Sequence, residues 1–137
     1  MKISFKITCA TFTIWILTSF INSLFFASYS FIIHPTLNGL ALETILVFFI
    51  TLFFSVPGFF IFWLILLTKS AYRIYERALF RVALSTVIIL ASITAIICSL
   101  VLRSAFPGDV YALMLIPVVS SVVSVMMHFN YFKKINN

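Results

Sequence analysis

Charge is what this chain has least of: Asp, Glu, Lys and Arg make up 9% of its 137 residues, and Asp and Glu together number 3. A water-soluble domain of ordinary composition is about one quarter charged. The shortfall excludes a globule coated against water and places the chain in a lipid bilayer. Three acids and 2 histidines also leave little material for catalysis, which needs acids, bases or nucleophiles clustered within reach of one another. No Walker loop, CxxC or HExxH occurs. His34 closes the first apolar run and His128 the last, at opposite membrane faces, so they cannot share a metal or clamp a haem. Neither an enzyme nor a cofactor or metal site is expected. The 2 cysteines, Cys9 and Cys98, belong to opposite leaflets, far beyond the ~7 Å that a disulfide allows between Cα atoms. There is no Ser/Gly-rich linker, charge block or repeat, so residues 1–137 read as one transmembrane domain.

What is present is apolar. Hydrophobic residues reach 64%, with 17 Phe, and they gather into four runs at residues 7–33, 40–67, 79–102 and 110–129. A span needs about 20 residues, because a helix rises ~1.5 Å per residue and the hydrocarbon core is ~30 Å thick. The second run is interrupted by Pro57-Gly58. At about 28 residues it is too short for two crossings and, as one straight helix of ~42 Å, too long for one without tilt. The expectation is a single helix kinked at Pro57, which has no N–H to give the Phe53 carbonyl. Pro57 and Gly58 are the candidate hinge.

The links HPTLNG, residues 34–39, and SAFPGD, residues 104–109, carry the Pro, Gly and Asn of short turns. Asp109 suits an N-cap, Glu43 the start of the second helix and Arg103 the end of the third, each matched to the helix dipole. Lys2, Lys6, Lys69, Arg73, Arg77, Arg81, Lys133 and Lys134 fall on one side of a four-crossing arrangement and Arg103 alone on the other. That bias is the positive-inside signal and puts both termini in the cytoplasm. A signal peptide is the rival for the first run, but its apolar stretch exceeds the usual ~7–15 residues and its small residues near Ala27–Ser30 make a poor cleavage site. The net charge of +6 belongs to topology and not to nucleic-acid binding, because the basic residues lie beside apolar runs.

Polar residues inside the runs form stripes. Ser85, Ser92 and Ser99 recur every seven residues in the third run, where Ala91 and Ala95 add a row of small residues that permits close helix approach. Pro117, Ser120, Ser121, Ser124 and His128 share a side of the fourth, and Thr44, Thr51, Ser55 and Gly58 mark the second. In the first, Thr8, Thr11, Trp15, Thr18, Asn22 and Tyr29 fall near one line. Asn22, Thr51, Ser55, Ser85, Ser92, Ala95, Ser99, Ser120 and Ser124 are therefore the candidate packing or cleft-lining set. Lys69, Arg73, Arg77 and Arg81, at four-residue spacing, are candidates for contact with anionic headgroups or a cytosolic partner.

The fold expected is all-α: a polytopic integral membrane protein, an antiparallel four-helix bundle with a kinked second helix, in the cell inner (plasma) membrane. In size the chain is similar to small four-helix multidrug transporters, but it lacks the glutamate that family carries in its first helix. In outline it resembles small basic four-helix immunity proteins. The expected function is non-enzymatic binding within the membrane, as an accessory subunit or an immunity-type protein. Its expected partners are lipids and another membrane protein or a second copy of itself. The alternative is a channel or transporter for an uncharged or weakly hydrated solute.

Overall fold

The structure is a computed structural model, which describes residues 2–33, 35–71, 76–102 and 110–135. Among the described residues it is almost entirely helical and contains no strand. The elements in chain order are α1 (Ile3–Ile33), α2 (Leu40–Phe54), α3 (Val56–Ala71), α4 (Glu76–Leu102), α5 (Val110–Met127) and α6 (Phe129–Ile135). Toward the short links the described helices cover the apolar runs as far as Ile33, Leu40, Leu102 and Val110. At the other end they run past them, to Ile3, Ala71, Glu76 and Ile135. Lys and Arg are good helix formers, so the loss of apolarity there does not end the helix.

Among the described residues, two helical segments, Ile3–Ile33 and Ala78–Ile97, are long and apolar enough to cross a membrane, and α2 with α3 make a third candidate if the pair, bent by 52°, is one span. Among the described residues the fourth run contributes a shorter apolar helix, Met114–Met127. α5 has 18 residues, ~27 Å at ~1.5 Å per residue. His128 then breaks it from α6.

The kink in the second run lies two residues before Pro57. Ser55 is the C-cap of α2, and Pro57 sits in the first turn of α3, where a missing N–H costs least. Backbone bonding continues across the break, from Ser55 N to the Thr51 carbonyl at 3.0 Å and from Phe59 N to the Ser55 carbonyl at 2.8 Å. The bend is therefore a local reorientation between two helices whose backbone bonding is unbroken. Before α2, Gly39 takes φ 84°, a left-handed value that glycine adopts without steric cost, and its carbonyl receives the Glu43 N–H at 2.9 Å.

α1 packs against α2, α3, α5 and α6, and α4 packs against α3, α5 and α6. The basic half of the bundle has an apolar core: Ile7, Ile14, Phe62, Leu66, Leu79, Ala83, Val87, Val125 and Phe132. Phe80 meets Phe129 and Phe132 edge-on there, at 4.8 and 6.1 Å between ring centroids. Farther along α1, α4 and α5 the buried residues become small or polar: Ser19, Asn22, Ser23, Ala95, Ser99, Ser120 and Ser121. α2 stands apart. It packs mainly on α1, contains no buried residue and leaves Leu42, Phe49 and Phe53 exposed.

Candidate functional site: a polar seam along α1

Lipid supplies no hydrogen-bond partners, so polar side chains on a spanning helix turn to their own backbone or to a neighbouring helix. Along α1 they do the second at regular intervals. Trp63 Nε1 donates to Thr8 Oγ1 at 3.0 Å, Trp15 Nε1 to Ser55 Oγ at 2.7 Å, and Asn22 Nδ2 to Thr51 Oγ1 at 2.8 Å. Ser30 Oγ donates to Glu43 Oε2 at 3.3 Å about two turns farther. Thr8, Trp15 and Asn22 lie seven residues apart and share a face of α1. Their partners descend through α2 and α3 in antiparallel order. The seam thus crosses the bend and ties both α2 and α3 to α1.

The bend sits at the centre of this seam. Trp15 stacks on Phe59 with centroids 4.6 Å apart and an interplanar angle of 24°. Phe12 meets the two rings edge-on at 5.7 and 6.4 Å. Ser55 Oγ, while accepting from Trp15, donates to the Leu52 carbonyl at 3.2 Å. One indole therefore grips the last turn of α2 through a hydrogen bond and the first turn of α3 through its face. On the opposite side Gly58 faces α4: a Cβ added there would lie 3.9 Å from Thr94 Oγ1, ordinary van der Waals contact.

The other sequence-predicted residues divide. Ala95 and Ser99 are buried, Ser92 is half-buried and Ser85 is exposed. The hydroxyls of Ser85, Ser92 and Ser99 all return to their own helix, at the Val82, Ile88 and Ile96 carbonyls. The buried line of α4 runs through Leu79, Ala83, Val87, Ala95 and Ser99, a ridge of four-residue steps. The seven-residue serine row meets that ridge only at Ser99. On α5, Ser120 and Ser124 are both 0% exposed. Ser120 donates to the Ile116 carbonyl at 2.7 Å, whereas Ser124 Oγ has no partner among the described residues. The Ser124 carbonyl lies 2.8 Å from His128 Nδ1, and because a carbonyl only accepts, that nitrogen carries the proton.

Lys69 and Arg81 are exposed. Arg73, Arg103, Asp109 and His34 lie outside the described residues, as do the side chains of Arg77 and Cys98. At the basic end, Lys2, Ser4, Phe5, Thr8, Trp63 and Leu67 line an open groove of about 650 Å³. Among the described residues no group of three or more His, Cys, Asp or Glu gathers.

Sequence reasoning passed over Ser19, Ser23, Ser30 and Trp63. Ser19 and Ser23 flank Asn22 at helical spacing and could have been found that way. Trp63 reads as one more aromatic in an apolar run, and only its antiparallel register against Thr8 gives it a role. The chain matches no protein-family model, no curated protein and no solved structure.

Proposed function

We propose that this chain is a four-span membrane protein that acts by binding another membrane protein within the bilayer, as an accessory subunit of a membrane complex or an immunity-type protein. In this reading α1, α2 with α3, α4, and α5 cross in antiparallel order, with both termini on the cytoplasmic side of the inner (plasma) membrane. The charge bias supports that orientation. That the two chain ends lie on one side is supported by their meeting, where Tyr131 Oη donates to the Lys6 carbonyl at 3.3 Å and Lys6 Nζ to the Lys134 carbonyl at 3.5 Å.

The observation that carries the functional reading is the state of α2. It is pinned to α1 through Asn22–Thr51 and Trp15–Ser55, is turned 52° away from α3, and has no buried residue of its own. Helices associate in lipid through packing and interhelical hydrogen bonds. A helix tied to its neighbour by such bonds and carrying an unpacked face is suited to receive a helix from another chain. Purification from native membranes in mild detergent tests this: a stoichiometric membrane-protein partner, or a second copy of the chain, is expected. The chain emerging alone would count against it.

The second reading, a channel or transporter for an uncharged solute, draws on the buried polar atoms of Ser19, Asn22 and Ser124 that lack partners among the described residues. It predicts saturable flux of a defined solute in proteoliposomes of the purified protein, reduced by Pro57→Ala. Binding within the membrane predicts no solute-specific flux.

A further inference from the structure

In the polar half of α1, Ser19 is 1% and Asn22 6% exposed, and Ser19 Oγ and Asn22 Oδ1 have no hydrogen-bond partner among the described residues. Neighbouring buried hydroxyls behave differently. Thr11 donates to the Ile7 carbonyl, Ser23 to Phe20 and Ser120 to Ile116, each at 2.7 Å. A buried polar atom without a partner forfeits its hydration, and such atoms in native proteins commonly hold an internal water. Ser19 and Asn22 are three residues apart on one helix, a spacing that leaves their Cβ atoms about 5–6 Å apart. One water at ~2.8 Å from each polar atom spans such a gap.

We propose that Ser19 and Asn22 bind an ordered water molecule inside the bundle. The proton balance is complete. Asn22 Oδ1 only accepts, so the water gives it one hydrogen, and the Ser19 hydroxyl donates to the water oxygen. The second water hydrogen goes to α5, which packs on α1 and carries Ser120 and Ser121 at 0% and 7% exposure. Both of those hydroxyls have already given their protons to backbone carbonyls and keep lone pairs to accept. Three bonds are usual for an internal water. Because Asn22 also donates to Thr51, the water completes a chain from Ser19 through Asn22 to α2. It is a fixed part of the seam: it is independent of the binding reading and, by satisfying Ser19 and Asn22, removes two of the three unpartnered atoms on which the solute-path reading draws.

The test uses the full chain, ¹⁵N-labelled, in lipid nanodiscs. A water-to-amide Overhauser signal is expected at the Asn22 side-chain NH₂ protons, and Ser19→Ala abolishes it while lowering the thermal midpoint by about 4 °C. Ser99→Ala, whose hydroxyl is satisfied within α4, leaves the signal in place. No such signal in the wild type would overturn the proposal. So would an unchanged or raised midpoint in Ser19→Ala, the result expected when a dry, unpartnered hydroxyl is removed. Should Ser19→Ala fail to fold, the wild-type signal alone decides.

Discussion

Trp15→Phe is the sharpest perturbation of the seam, because it leaves an aromatic ring to face Phe59 and removes only the Nε1–H that reaches Ser55 Oγ at 2.7 Å. Interhelical hydrogen bonds in lipid contribute ~0.6 kcal/mol on average and up to ~1.7. This one is short and part-buried, which places it in the upper part of that range. Ser55→Ala removes the same bond from the other side and also the Ser55–Leu52 bond at 3.2 Å. Each single change therefore carries losses of its own: reduced ring area for Trp15→Phe, a weaker cap at the bend for Ser55→Ala. A double-mutant cycle cancels them and isolates the shared term. The expected coupling is about 1–1.7 kcal/mol, measured by reversible unfolding of wild type, both single variants and the double variant in mixed micelles. Coupling below ~0.3 kcal/mol, the scatter seen for independent sites, would refute the claim that Trp15 holds the bend.

Three further expectations come from other parts of the bundle. Ala95→Leu, at a position 3% exposed, should cost roughly 1–3 kcal/mol by overpacking. Ile89→Leu, at a position 58% exposed, should stay within ~0.5 kcal/mol, and equal effects would show the α4 packing face to be misplaced. Pro57→Ala restores an N–H for the Phe53 carbonyl and should reduce the 52° bend, read as a change in distance between spin labels at Leu42 and Leu100. No change would assign the bend to Trp15 and Ser55 alone. A reporter active only in the cytoplasm should work after Asn137 or within residues 70–78 and be silent after Gly39 or Gly108, and activity at Gly39 would break the four-span arrangement.

Helix positions were legible because the chain is so apolar, and helix faces were obscure for the same reason. A spanning helix shows hydrocarbon to lipid and to its neighbours alike, so hydropathy does not separate Ile89, exposed, from Val87, buried. Polar residues carry the orientation instead. The seven-residue row of Thr8, Trp15 and Asn22 was visible, and the structure joins it to Trp63, Ser55 and Thr51. The equally regular row of Ser85, Ser92 and Ser99 follows no such seam, because each hydroxyl finds a carbonyl one turn back in its own helix. The difference is chemical. These three serines satisfy themselves locally, whereas an indole N–H or a carboxamide reaches too far for the preceding turn and recruits another helix. The break at Ser55 in place of Pro57 has a similar origin: proline fits the first turn of the new helix, so the chain turns just ahead of it.

The membrane-binding role is tested most directly in intact membranes, with a photoreactive side chain placed singly at Phe49 and Phe53 on the open face of α2, or at Phe20 on α1. All three positions are exposed. A partner helix seated on α2 predicts one discrete protein adduct from Phe49 and from Phe53, and lipid adducts alone from Phe20. Lipid adducts alone from all three would mean that α2 faces only the bilayer, and would contradict the proposed function.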